Sequence, residues 1–294
     1  MTLVASIPSP DSGVIELGPL SLHMYGLMLL LGIAACIGIT GLRWTRRGGD
    51  WDLVLRVAVW GVAFGIVGAR AYHVITSWDE VPDEWWGVFA VWKGGLGVWG
   101  GILAGCIAGA VIVRRSGESV AAFADAVAPG LLVAQAIGRV GNWWNQELFG
   151  KPTDAAWGLE INLEHRPPEY ADSETFHPTF LYEGLWDLFA AGLLLLVDRF
   201  FRIRPPALFS LYVAIYCAFR LYEETLRIDS SHHLWGQRLN FWVALVLLVL
   251  SSAFFIWWQI IRPWRRRRRA GRAAKPGGRG PAMAIPKKRV RSPR

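Results

Sequence analysis

The residues best equipped for chemistry lie in the stretch 138–150, which reads GRVGNWWNQELFG. It places a guanidinium, two asparagine carboxamides and a carboxylate directly after the apolar run 121–137. Ionisable groups near membrane depth need a partner or a polar cavity, so they are candidates for function. A simpler interpretation is an interfacial loop whose arginine extends toward lipid headgroups and whose tryptophans join the aromatic belt. The candidates here are Arg139, Asn142, Asn145 and Glu147.

The composition indicates which elements must position these residues. Of the 294 residues, 53% are hydrophobic and 17 are tryptophan, and apolar runs recur along the chain, as is typical of a polytopic membrane protein. The net charge of +8 comes from residues 262–294, which hold 14 Lys/Arg and no acid; subtracting those 14 leaves −6. Residues 1–20 lack the basic start of a cleavable signal peptide. The three cysteines lie in apolar runs, so we expect no disulfide, metal site or cofactor.

Seven apolar segments are long enough to cross a bilayer. Their Lys/Arg clusters satisfy the positive-inside rule when the N-terminus lies outside and the C-terminus inside. The predicted fold class is therefore an all-α polytopic membrane protein with seven transmembrane helices. The predicted spans are 20–42, 53–75, 88–113, 119–137, 179–197, 207–226 and 239–261.

These spans divide the chain into a transmembrane domain and a tail. Residues 1–262 form the predicted domain, in which 141–177 is a small extracytoplasmic head with a strand at 157–163. Residues 263–294 are too basic and too poor in apolar side chains to fold, which predicts a disordered cytoplasmic tail. We expect this tail to rest on the anionic inner leaflet and not to bind nucleic acid. In the third span, glycines recur every fourth residue from Gly97 to Gly109, which predicts close helix packing.

The topology places further charged side chains in the outer half of the membrane. Arg139 and Asn142 are three residues apart, and Arg220, Glu224 and Arg227 step by four and three, so each set shares one helical face. Guanidinium groups bind phosphate diesters in bidentate fashion, which predicts an anionic phospholipid bound at the outer leaflet. The alternative for Arg220 with Glu224 is a structural ion pair between helices.

Other interpretations concern the remaining charges. Glu183 and Asp187 lie one turn apart and could pair with Arg70 or Lys93 as structural contacts. A transporter would show internal repeats or charges through the full membrane depth, whereas here the charges cluster in the outer half. A membrane scaffold would have no need of three arginines beside amides.

Five segments together resemble the bacterial prolipoprotein diacylglyceryl transferases, across about residues 20–261. The resemblance implies a seven-helix enzyme of the bacterial cytoplasmic (inner) membrane. Such an enzyme moves the diacylglyceryl group of phosphatidylglycerol onto the lipobox cysteine thiol of a prolipoprotein signal peptide, and glycerol phosphate leaves. The segments are GRVGNWWNQELFG, HMYGLM at His23, GARAYHV at Gly68, HPTFLYE at His177, and YCAFRLYEETLR, which contains Arg220.

The resemblance also implies residue roles. Arg139 and Arg220 would hold the lipid headgroup, Glu224 would orient Arg220, and three residues would line the site: Tyr25, Asn142 and Glu147. Asn145 and Arg227 complete the polar substrate-binding set. The family positions where the backbone bends or approaches closely are Gly94, Gly100 and Gly150.

One position departs from the family pattern. Many members carry a histidine before the glycine pair of the third span, as HGG, whereas this chain reads WGG with Trp99 there, an actinobacterial-like variant. The thiolate is still required, because a free cysteine has a pKa of about 8.5. We therefore expect the arginine pair to stabilise the leaving phosphate and Glu147 or His23 to accept the thiol proton. Trp99 could stack on a guanidinium, a contact of roughly 1–2 kcal/mol.

Overall fold

The computed structural model describes residues 6–18 and 20–264, and within them it contains seven long helices. Six are long and apolar enough to cross a membrane, as expected of a multi-pass membrane protein. The exception is α6, whose last two turns carry Arg220, Glu223 and Glu224. The helices are α1 (Met24–Thr45), α2 (Trp51–Thr76), α3 (Val98–Arg115), α4 (Val120–Trp144), α5 (Thr179–Phe200), α6 (Ala207–Leu226) and α7 (Leu239–Phe255, continued by a π-helical turn at Ile256–Ile261). The predicted tail falls almost wholly on residues 265–294, which lie outside the described part of the chain.

Three predicted helix ends were wrong. Residues 20–23 form a strand and not the start of the first span, because Leu20–His23 pairs antiparallel with Val14–Leu17. The third helix begins at Val98 and not at residue 88, because short 3₁₀ turns occupy Gly87–Phe89 and Val91–Lys93 and Gly94 adopts φ +86°. The fourth helix continues past residue 137 to Trp144, so Arg139 and Asn142 lie in its last turns.

The chain is not wholly helical, because three two-stranded antiparallel sheets connect or precede the helices. The strand predicted at 157–163 is present but covers only Leu159–Glu160. The buried side chains of Phe149, Ile161 and Phe176 form a small core beneath it. The strands are β1 (Val14–Leu17), β2 (Leu20–His23), β3 (Leu159–Glu160), β4 (Thr175–Phe176), β5 (His233–Leu234) and β6 (Gln237–Arg238).

Small residues let α2 and α3 approach closely, as the glycine spacing predicted. A Cβ added at Gly101 would lie 3.2 Å from the carbonyl oxygen of Gly65, and one at Gly105 would lie 3.0 Å from that of Gly61. Such backbone-to-backbone contacts replace the hydrophobic driving force that helices in lipid lack. The connection from α2 to α3 is held by the buried guanidinium of Arg70, which donates to the carbonyl oxygens of Gly87, Val88, Gly94 and Gly95.

A buried carboxylate of α4 caps the start of α6. Pro206 precedes α6 and has no side-chain acceptor, and the backbone N–H of Phe209 in the first turn donates to Asp125 Oδ1 at 2.8 Å. Asp125 is 2% exposed. The contact satisfies one of the free N–H groups at a helix start and favours negative charge near the positive end of the helix dipole.

We expect Asp125→Ala to lower the free energy of unfolding by about 1–2 kcal/mol, the usual effect of losing an N-terminal capping acceptor. Asp125→Asn keeps an acceptor oxygen and should cost less. Thermal unfolding of both variants in detergent micelles measures the difference. Equal losses would contradict the capping role.

Candidate active site

Arg139 of α4 and Arg220 of α6 converge on one buried carboxylate, Glu183 of α5. Arg139 Nη2 lies 2.6 Å from Glu183 Oε1 and 2.5 Å from Oε2, and Arg220 Nη1 lies 3.4 Å from Glu183 Oε2. Arg220 also donates to Glu223 and Glu224, three and four residues further along its own helix. The side chains of all three glutamates are 1% exposed, and those of the two arginines are 13–17% exposed. The prediction that Arg220 and Glu224 share a face is confirmed.

Burial strengthens the ion pairs of this cluster and also raises the free-energy cost of leaving any of its charges unpaired. Charges interact far more strongly in a protein interior of low dielectric constant than in water, but each charge must be paired to offset its lost hydration. Tyr216 contributes a further donor, because its hydroxyl lies 3.0 Å from Glu183 Oε1. The arginines are thus held with their forks oriented, as recognition of a phosphate requires.

The structure shows which partners the carboxylates of α5 have, a point that the sequence left open. Glu183 binds Arg139 and Arg220 and does not pair with Arg70 or Lys93. Arg70 binds backbone carbonyls, and the Lys93 ammonium lies 4.7 Å from the ring centroid of Trp86. Both carboxyl oxygens of Asp187 are buried without a hydrogen-bond partner among the residues described. The sequence held no signal for this pairing, because helical periodicity does not report that α4, α5 and α6 lie close together.

The stretch after Arg139 links the cluster to the surface. Arg139 Nη1 donates to Asn142 Oδ1 at 3.3 Å, as predicted from their spacing. Asn142 Nδ2 donates to Glu147 Oε1 at 2.8 Å, and Asn145 Nδ2 lies 3.3 Å from the same oxygen. The chain turns back sharply here, with positive φ at Gln146. Glu147 is exposed and thus accessible from outside the cluster.

A cavity of about 600 Å³ lies beside Glu147. Its lining includes His23, Tyr25, Asn145, Glu147 and His165, so both candidate thiol bases face one space. The ring of Tyr25 lies against α4 at Gly141, where an added Cβ would come within 2.7 Å of Tyr25 Cδ2. Arg139 and Arg220 do not line the cavity; Asn142 and Glu147 connect it to them.

Arg227, which was predicted to share the face of Arg220 and Glu224, caps the end of α6, and its backbone N–H donates to the Glu223 carbonyl oxygen at 3.2 Å. Arg227 follows the last residue of α6 in an extended conformation, and its Nε donates to Asp229 Oδ1 at 2.7 Å. The third arginine at the cluster is Arg238, whose Nε lies 2.6 Å from Glu224 Oε2. Burial alone would raise the pKa of Asp229, but hydrogen bonds and charge from Arg227 and Arg238 hold that pKa below its usual value. Nothing in the spacing of Arg238 pointed to this contact.

The expected glycines lie at tight or bent positions. Gly150 would bring an added Cβ within 2.8 Å of His177 Cβ, and Gly100 faces the backbone of Gly68. Trp99 is the second residue of α3 and is half exposed, and the stacking on a guanidinium that it could make is absent from residues 6–18 and 20–264.

Two further features bear on cofactors and on the remaining histidines. In the described part of the chain, no group of three or more His, Cys, Asp or Glu side chains is arranged so that it could hold a metal ion. His177 Nδ1 lies 3.2 Å from the hydroxyl of Tyr182, and burial together with Lys151 lowers its pKa. His177 therefore makes a side-chain contact with the first turn of α5.

Comparison with known proteins identifies relatives over most of the chain. A sequence profile described as prolipoprotein diacylglyceryl transferase matches residues 12–257. A phosphatidylglycerol–prolipoprotein diacylglyceryl transferase of Streptomyces griseus is 46% identical over 265 residues, covering 89% of this chain and 80% of the relative. Proteins of the same name are 48% identical in Cutibacterium acnes (85% of this chain, 86% of the relative) and 42% identical in Bifidobacterium adolescentis (87% and 80%).

The match includes the segments that hold Arg139, Glu183 and Arg220 together, and it extends over far more than half of the chain. The chain belongs to the prolipoprotein diacylglyceryl transferase family.

Proposed function

We propose that this protein transfers the diacylglyceryl group of phosphatidylglycerol to the lipobox cysteine of a prolipoprotein, the first step of lipoprotein maturation. The observation that carries the proposal is the convergence of Arg139 and Arg220 on Glu183, a cluster that Asn142 connects to Glu147 in the cavity lining. The names of the relatives supply the substrates. Two oriented guanidinium groups suit the phosphodiester of an anionic lipid.

We further propose the membrane arrangement in which this reaction takes place. α6 is the remaining crossing, because it packs between α5 and α7 and buries its charges in the cluster. The N-terminus lies outside the bacterial cytoplasmic membrane and the basic tail 263–294 lies on the anionic inner leaflet, in accord with the Lys/Arg clusters. Segment 141–177 then faces outward, where an exported cysteine and outer-leaflet phosphatidylglycerol meet.

The proposed step is a displacement at a saturated carbon. The sulfur forms a bond to the terminal glyceryl carbon while the bond from that carbon to the phosphate oxygen breaks. The bonding electrons stay on the oxygen, so the phosphate gains a negative charge as glycerol phosphate leaves. Arg139 and Arg220 stabilise that charge, and Glu183, Glu223 and Glu224 keep their forks in place. The thiol proton passes to Glu147 or His23.

Direct assay tests the proposal. The purified protein is incubated with phosphatidylglycerol and a lipobox peptide, and mass spectrometry follows the thioether-linked diacylglyceryl shift of the peptide. Phosphatidylcholine in place of phosphatidylglycerol should give no shift. Absence of product under conditions in which the Streptomyces griseus relative is active would refute the proposal.

Thiol activation gives a separate prediction for Glu147 and His23. A general base contributes about 10²–10⁴-fold to a rate, so we expect Glu147→Gln or His23→Ala to lower kcat by about 100-fold at pH 7. The defect should shrink toward pH 9, because a free thiol ionises by itself near pH 8.5. Glu164→Gln, in the same cavity lining, is the matched control. Full rates in both test variants would exclude an enzyme base at these positions.

A further inference from the structure

Arg238 is a buried arginine whose side chain donates hydrogen bonds to two carboxylates and one backbone carbonyl. It ends β6, immediately before α7, and is 6% exposed. Its Nε donates to Glu224 Oε2 at 2.6 Å, its Nη1 to the Asp229 carbonyl oxygen at 2.6 Å, and its Nη2 to Asp229 Oδ2 at 2.8 Å. Glu224 is the residue whose other oxygen binds Arg220. Arg238 therefore reaches the phosphate-binding arginine through one shared carboxylate.

Arg238 changes the charge of the cluster. Arg139 and Arg220 contact three carboxylates, Glu183, Glu223 and Glu224, so with every group ionised this set carries one net negative charge. Such a set repels an anionic phosphodiester, and burial strengthens the repulsion. Arg238 adds the third positive charge and brings the set to neutrality.

The carboxylate of Glu224 accepts hydrogen bonds from two arginines. One oxygen accepts from Arg220 and the other from Arg238, so the carboxylate is fixed from both sides. Arg238 is itself anchored by Asp229, which also binds Arg227, and the backbone of Arg227 bridges Gly150 at the end of the 138–150 stretch. The hairpin β5–β6 is thereby connected to Glu224 on α6 and to Gly150 at the end of the 138–150 stretch.

We propose that Arg238 is a positioning residue for the lipid substrate: it offsets the charge of Glu224 so that Arg220 can bind the anionic headgroup. It acts through Glu224 and does not itself touch the lipid. This inference rests on the proposed function for its kinetic arm only, because binding of phosphatidylglycerol can be measured without turnover.

The first test compares Arg238→Gln with Arg238→Lys, and uses Gln237→Ala, an exposed neighbour on the same strand, as the matched control. Phosphatidylglycerol is titrated into nanodiscs of phosphatidylcholine, and binding is followed by quenching of tryptophan fluorescence. We expect Arg238→Gln to weaken binding at least about tenfold, the equivalent of ~1.4 kcal/mol. Arg238→Lys and Gln237→Ala should stay within roughly threefold of the unmodified protein.

Kinetics separate positioning from mere stabilisation. Arg238→Gln should raise KM for phosphatidylglycerol at least about tenfold while changing KM for the lipobox peptide less than roughly threefold. Equal changes in both KM values, or a fall in the folded fraction with unchanged lipid binding, would overturn the proposal. If the unmodified protein binds phosphatidylglycerol but makes no product, the proposed reaction fails and the binding arm still decides the role of Arg238.

The double variant Glu224→Gln/Arg238→Gln gives the sharpest outcome. Removing both charges restores the balance of the set, so it should bind phosphatidylglycerol at least roughly threefold more tightly than Arg238→Gln alone. Because Glu224→Gln also relieves a buried carboxylate that Arg238→Gln leaves short of a partner, binding is expressed per folded protein, and the folded fraction of each variant is measured separately. Double-variant binding as weak as that of Arg238→Gln would refute charge compensation.

Discussion

Arg139→Gln is expected to lower kcat/KM for diacylglyceryl transfer by about 10³-fold. The change removes the donor that holds Glu183 through both oxygens and the positive charge that would face the leaving phosphate. Loss of one preorganised donor from a charge-stabilising site typically costs about 10²–10³ in rate, and loss of the charge adds to it. Initial rates of peptide modification, measured with phosphatidylglycerol as the varied substrate, give the value.

Arg139→Lys is the matched variant, because it keeps the charge and loses the planar fork. We expect it to recover part of the rate and to remain at least about tenfold below the unmodified protein. A folded Arg139→Gln protein with a rate within roughly threefold of normal would show that Arg139 is a structural partner of Glu183 only.

The second large effect is expected from Glu183→Ala. This carboxylate accepts from Arg139, Arg220 and the hydroxyl of Tyr216 inside the bundle. Its removal leaves two buried guanidinium groups short of a partner, which typically costs about 3–5 kcal/mol of unfolding free energy. Denaturant titration in mixed detergent micelles, followed by tryptophan fluorescence, measures the loss.

Asp187 provides the control on the same helix, one turn away. Its carboxyl oxygens are equally buried but have no hydrogen-bond partner among the residues described, so Asp187→Asn removes no ion pair. We expect that variant to change the free energy of unfolding by less than about 1 kcal/mol. Equal losses in the two variants would mean that burial, and not the arginine contacts, sets the importance of Glu183.

The two effects arise from one arrangement. Carboxylates that orient Arg139 and Arg220 also neutralise them, so the site combines rigidity with a small net charge. An anionic headgroup then meets forks that are already aligned, and alignment before binding reduces the entropy lost on association. Arg238 adds a third positive charge against Glu224, on the side of that carboxylate away from Arg220.

The sequence pattern was sufficient to predict features that depend on a single helix. The apolar runs predicted the seven long helices, six of which are long and apolar enough to cross a membrane, because an α-helix satisfies its backbone hydrogen bonds within one segment. Helical spacing predicted the contacts of Arg139 with Asn142 and of Arg220 with Glu224, because residues three or four apart share a face. The glycine repeat of α3 predicted its close approach to another helix. The family resemblance led to the same arginines.

Tertiary structure decided what depended on contacts between distant segments. Glu183 lies 44 residues from Arg139 and 37 from Arg220, and no periodicity along one helix can report that α5 stands between α4 and α6. Strand pairing, and not hydropathy, decided that the first helix begins at Met24, because Leu20–His23 pairs with Val14–Leu17. The contact of Arg238 with Glu224, 14 residues earlier in the chain, likewise depends on folding. By itself, the sequence predicted the seven helices and identified Arg139 and Arg220 as candidate site residues. Which carboxylates hold those arginines was a property of three-dimensional packing alone.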